Sequence, residues 1–152
     1  MMNVDPKSEW KLEPISDFQL RYDKDAPRIN SGDPRVGSYI GSGIGEAEGP
    51  LLTGKIHWDL FEAEGETLCA ANFRGQVETK EGAKVEFDCL GFFRRPEAGQ
   101  QIWTMSGGVI FRSEDSRYST LVESPVVWEG EFNMSAYTHC YRLYRRKVGN
   151  EA

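Results

Sequence analysis

At 152 residues the chain falls near the modal domain size, long enough to bury one core without disulfides or metals, so a single domain is expected over 1–152 with flexible ends at about 1–9 and 146–152. A net charge of -6, with no long basic stripe apart from Arg145, Arg146 and Lys147, argues against nucleic acid and anionic membrane surfaces as partners. Cys69, Cys89 and Cys140 are odd in number and widely spaced, with no C-x-x-C pair to hold zinc; Met1–Lys11 lacks an apolar leader and no run is long enough to span a bilayer, so a reducing cytoplasm is the expected location.

A composition of 12% aromatic residues with 16 glycines suits short strands joined by tight turns. Trp10–Tyr22 alternates Ile15, Phe18 and Leu20 with polar residues and reads as a first strand. Residues 23–34, polar and with two prolines, read as a loop. Glycines then recur at 41, 43 and 45. Glu46 stands where the third glycine of a dinucleotide fingerprint belongs and Pro50 follows, while the Lys-Ser/Thr of a phosphate loop is absent. These glycines are therefore assigned to close strand crossings or bulges at a barrel rim, and no cofactor is expected.

Two hairpins follow, in LFEAEGETL around Ala63-Glu64-Gly65 and in VETKEGAKV around Lys80-Glu81-Gly82, each with a glycine placed for a left-handed turn. The second hairpin puts Glu78 opposite Lys84 and Arg74 opposite Asp88, two attractive pairs. Propagated together, the registers group Ile56, Trp58 and Leu60 with Asn72, Arg74, Glu86 and Asp88 on one face. His57, Asp59 and Phe61 fall with Cys69, Phe73, Val77, Phe87 and Cys89 on the other. Two mixed faces suit a barrel with a partly polar lumen. Beyond the turn at Glu97–Gly99, QQIWTMSGGVIF is apolar on both faces and reads as a strand buried on two sides, with a bend at Gly107-Gly108. Residues 113–125 carry polar turns around Tyr118–Val122, and Val126–Trp128 and Ser135–Tyr144 complete an all-β set with no amphipathic helix.

The order of KLEP (Lys11–Pro14), GPLLTGKIHW (Gly49–Trp58), ANFRGQVETKEGAKVEF (Ala71–Phe87) and FRS (Phe111–Ser113) resembles the uncharacterised family catalogued as domain of unknown function 3237. The resemblance implies a single antiparallel β-barrel, calycin-like or allene oxide cyclase-like, with no activity established for the family. The chain departs from the family pattern: His57 stands where an Asp precedes the Trp, Asn72-Phe73-Arg74 replaces Asp-x-Arg so that only Arg74 carries over, and Glu86 and Asp88 replace Tyr and Arg.

Two constellations carry possible chemistry. Arg74, Glu86 and Asp88, in a dry lumen, would pair a carboxylate of raised proton affinity with a guanidinium able to stabilise an oxyanion; on a wet surface they are an ordinary ion network. His57, among aromatics on the other face, is a candidate general base or a satisfied structural histidine. His139 shares a face with Tyr137 and Tyr141, either as a ligand wall or as packing, and a metal site would need it to converge with His57 and a carboxylate. No G-x-S-x-G elbow or nucleophilic cysteine motif appears. Trp58, Asn72, Trp103, Tyr118 and Trp128 are candidate ligand-binding residues. The expected function is a cofactor-independent isomerase, cyclase or lyase acting on a small apolar or aromatic metabolite in the barrel, with a non-catalytic carrier or sensor and a side-chain-filled interaction module as alternatives; a homo-oligomer is possible.

Overall fold

The computed structural model describes residues 11–23, 32–33, 37–63 and 65–146. The expected flexible ends and most of the loop at 23–34 lie outside them, as does Trp10. The strands are β1 (Leu12–Tyr22), the two-residue β2 (Gly32–Asp33), β3 (Gly37–Glu48), β4 (Gly54–Ala63), β5 (Leu68–Glu78), β6 (Lys84–Arg94), β7 (Ile102–Arg112), β8 (Val126–Asn133) and β9 (Thr138–Arg146). Every pairing is antiparallel, and β1 bonds to both β9 and β3, so eight strands close into a barrel with β2 beside β3. The expected all-β barrel is therefore the fold. The apolar piece Tyr118–Val122 between the polar turns is helical: a 3-10 turn (Ser116–Tyr118), capped by the Asp115 carboxylate accepting from the Arg117 N–H, runs into α1 (Ser119–Val122), which buries Leu121.

The glycine run has a steric origin. On β3 residues 41, 43, 45 and 47 point inward, and a Cβ on Gly43 would stand 1.8 Å from the Arg21 carbonyl and 2.7 Å from the Trp58 ring. Gly41 likewise faces the Tyr22 ring and Gly45 the Leu20 side chain. Side chains are absent from β3 where β1 and β4 send large ones across the lumen, so the close crossings expected from sequence occur at the seam that closes the barrel.

The β5–β6 register is the one expected, with Glu78 opposite Lys84 and Arg74 opposite Asp88, and Gly82 turns at φ +84°. The β4–β5 register is not. The connection is longer than three residues, and the pairs are Ala63 with Ala70 and Asp59 with Arg74. An odd shift exchanges the two faces of one strand relative to the next. Ile56, Trp58 and Leu60 consequently join Cys69, Phe73, Val77, Phe87 and Cys89 inside, whereas His57 and Asp59 join Arg74, Glu86 and Asp88 outside. The opposite-face assignment of His57 and Arg74 is thus corrected.

Inside, Phe18, Trp58, Phe73, Phe87, Phe111 and Trp128 are completely enclosed and fill most of the lumen. Phe73 sits among Trp58, Trp128, His139 and Tyr141 at centroid distances of 5.2–5.7 Å, mostly edge to face, the arrangement that ring quadrupoles favour. Strand β7 also differs from expectation. Trp103, Met105, Val109 and Phe111 are buried, but Ile102 and Ile110 on its outer side face solvent.

Candidate functional site

The barrel wall and one barrel mouth each carry a concavity. Antiparallel registers stack the outward side chains of β3–β7 into rows. One row is Ser42–Asp59–Arg74–Asp88–Ile110, and the next is Ile44–His57–Gln76–Glu86–Arg112. These rows, Ile110 apart, line an open groove of about 810 Å3 on the outside of the wall. It contains all four residues singled out for catalysis, His57, Arg74, Glu86 and Asp88, together with Asp59, expected on the face of His57 but not on that of Arg74, and Arg112, which the sequence did not single out.

The groove's ion pairs are long and solvated. Arg74 Nε lies 3.9 Å from Asp88 Oδ2, and Arg112 stands 3.9 Å from Glu86 and 4.0 Å from Asp88. In water such pairs hold little energy, and they leave both guanidinium groups able to meet an anion. Asn72 lies behind the row: although it is on an outward register, it is fully buried, donates from Nδ2 to Asp88 Oδ1 (2.6 Å) and the Cys89 carbonyl (2.8 Å), and its Oδ1 has no partner among the described residues. It fixes the Asp88 carboxylate. Burial pushes the Asp59 carboxyl above its usual range, favouring its protonated form more than for an open surface acid.

The second concavity, of about 240 Å3, opens at a barrel mouth between Tyr22, Glu62, Phe93, Trp103, Phe132, Met134 and Tyr137. Trp103 is held from both sides: its indole N–H donates to Met134 Sδ at 3.0 Å, and the Arg95 guanidinium lies 4.3 Å over its ring. Arg95 in turn donates to the Glu66 and Gln100 carbonyls, which clamps two neighbouring loops. Tyr137 reaches the rim from a left-handed turn at φ +52°.

His139 lies beneath this pocket, wholly buried. Phe132 stacks on it at 4.2 Å and 12°, and Tyr22 and Phe93 lie within 5.3 and 5.9 Å; all three rings also line the pocket. Its Nδ1 makes a short hydrogen bond with the Tyr141 hydroxyl, and among the described residues its Nε2 has no partner. Desolvation lowers the imidazolium pKa from 6.5 to about 3 and raises that of the Tyr141 phenol, so both groups are neutral near pH 7. If Tyr141 donates to Nδ1, the imidazole proton resides on Nε2 and one buried N–H remains unpaired. The opposite arrangement leaves both the phenol hydrogen and the Nε2 lone pair unpaired. The first is favoured because it strands fewer buried polar groups.

The chain matches no known family profile and no curated protein. It is similar to solved barrels. A β-barrel-like protein of Acinetobacter baumannii superposes with a TM-score of 0.73 at 17% identity, over 97% of this chain and 100% of that one. A conserved protein of unknown function from Rhodopseudomonas palustris gives 0.73 at 14% identity, over 93% and 100%, and a protein of unknown function from Clostridium acetobutylicum gives 0.67 at 14%, over 90% and 99%. At these identities the likeness shows the β-barrel fold alone.

The other sequence candidates fall in different places. Trp58 and Trp128 are core residues, and the Trp128 indole N–H has no partner among the described residues. Trp103 lines the mouth, and half-buried Tyr118 packs against the core from the 3-10 turn. His57 lies outside the wall and His139 inside, so the two histidines do not converge. His139 and Tyr141 were legible as a same-face pair, but only β9's position in the closed barrel shows that they lie beneath an aromatic pocket.

Proposed function

We propose that the protein is a small-molecule-binding barrel that takes a one- or two-ring aromatic compound bearing a hydrogen-bond acceptor, such as a carbonyl, into the mouth pocket. The observation that carries this reading is the buried, unpaired Nε2 of His139 beneath a pocket walled by Tyr22, Phe93, Trp103 and Phe132. An apolar cavity of about 150 Å3 accepts benzene, so a pocket of about 240 Å3 has room for one or two rings. A ligand carbonyl reaching Nε2–H would remove an uncompensated donor, worth about 1–3 kcal/mol relative to a ligand without one. An imidazole that holds a proton only near pH 3 is a poor general base at neutrality, which favours orientation of a ligand over proton abstraction by His139.

Trp103 fluorescence titrated with acetophenone and with ethylbenzene tests this. Acetophenone is expected to bind at least about tenfold more tightly, with the preference lost in His139→Phe. Equal affinity for both, or no response of the pocket, would refute it.

A second reading places cofactor-independent isomerase, cyclase or lyase chemistry in the outer groove. The convergence of His57, Arg74, Glu86 and Asp88 with Asp59 supports it: one base removes a proton next to a carbonyl while Arg74 steadies the enolate oxygen. Protein-dependent solvent deuterium uptake at the α-carbon of phenylacetone, abolished in His57→Gln or Arg74→Ala, would support this reading; uptake at the buffer rate would oppose it. We further infer membership of the family catalogued as domain of unknown function 3237, on its motifs and the barrel fold.

A further inference from the structure

The outer sides of β6 and β7 carry large apolar side chains, Leu90, Phe92 and Ile110, that no described residue covers. Beside the charged groove lies a row formed by Asn72, Leu90, Gly108 and Val127, and then a row formed by Ala70, Phe92, Ser106 and Glu129. Leu90 is 63% exposed, Phe92 57% and Ile110 63%, and nothing lies within 3.9 Å of where a Cβ on Gly108 would stand, so these side chains rise from a shallow floor. Isolated exposed aliphatics need no explanation, but neighbouring ones on one sheet face mark an interaction surface.

The order of residues along β6 selects the partner. On its outer side, beyond the exposed Lys84 at its start, the strand presents Glu86, Asp88, Leu90, Phe92 and Arg94: acidic, then apolar, then basic. Turned end for end, that pattern complements itself. A two-fold axis lying in the interface and crossing β6 at Gly91 sets Phe92 of each copy over Leu90 of the other, and Arg94 against Asp88. Aligned sheets pack in this manner at about 30° and about 10 Å apart. Among the described residues Arg94 has no ion pair, whereas Asp88 meets Arg74 and Arg112 only at 3.9–4.0 Å, so both ends have capacity for a new partner.

We propose that this face of β5–β8 is an isologous dimer interface that takes a second copy of the same chain. Four strands about 4.8 Å apart with four rows of side chains about 6.7 Å apart cover roughly 500 Å2 in plan, near the lower end for a specific interface, so the dimer is weak. The inference is independent of the ligand reading, because the mouth pocket lies inside the barrel end.

Sedimentation velocity of the full chain from about 5 to about 500 µM tests it. The weight-average coefficient is expected to rise toward that of a particle of twice the mass. Phe92→Lys, an exposed change, is expected to hold the chain monomeric with an unchanged near-ultraviolet circular dichroism spectrum. Arg94→Glu should weaken association by at least about tenfold through like-charge contact, and Arg94→Glu combined with Asp88→Arg should restore it. A monomer throughout the range, a dimer indifferent to Phe92→Lys, or a charge exchange that fails to restore association in a folded double variant would each overturn the proposal.

Discussion

His139 makes the stability of the barrel depend on acid in a calculable way. The folded imidazole takes a proton only near pH 3, whereas a histidine in the unfolded chain takes one near 6.5. Above 6.5 neither state is protonated and this contribution to stability is complete. As pH falls below 6.5 the unfolded chain binds a proton that the folded chain refuses, so stability declines until pH approaches 3. With these values, lowering the pH from 7 to 5 removes about 2 kcal/mol through His139 alone. The perturbation is the double substitution His139→Phe/Tyr141→Phe. It preserves ring packing on Phe132 and deletes both ends of the hydrogen bond, whereas Tyr141→Phe alone would leave a second imidazole nitrogen buried and unpaired. Urea unfolding followed by tryptophan fluorescence at pH 7 and pH 5 gives the free energies for both proteins. His57, exposed on the outer wall, is present in both and cancels. The wild type is expected to lose about 2 kcal/mol more than the variant over this interval. Equal losses would refute the neutral, desolvated state assigned to His139.

Three further outcomes are expected. Gly43→Ala should destabilise the barrel by at least about 1–3 kcal/mol in thermal unfolding, because the new methyl meets a β1 carbonyl and the enclosed Trp58 ring. A polar maleimide should label exposed Cys140 first, while Cys69, whose thiol burial pushes up to about 12, and Cys89, whose thiol burial also holds well above its ordinary range, react only on unfolding; peptide mass spectrometry reads the order. Arg74→Ala removes a half-exposed guanidinium from a 3.9 Å pair, so the melting free energy should change by less than about 1 kcal/mol, and a larger loss would give the groove a structural role.

The sequence by itself determined what is local. Strand periodicity, the left-handed Gly82 turn and the facing charges of Glu78 with Lys84 and Arg74 with Asp88 established an antiparallel β protein and one correct register, because a tight hairpin ties pairing to neighbouring residues. The glycines at 41, 43 and 45 were legible as close crossings, since no helix or phosphate-loop lysine accompanies them. Tertiary structure decided what depends on distant strands. The β4–β5 connection is longer than the three-residue turn its sequence suggests, and an odd change in register moved His57 and Asp59 from the side of Phe73 and Phe87 to that of Arg74 and Asp88. Closure of β1 on β9 and β3 then fixed which face became the lumen, placed neutral His139 beneath the mouth, and left Leu90, Phe92 and Ile110 exposed on the outer wall. Side-chain alternation defines two faces, but only closure of the barrel determines which of them loses its water.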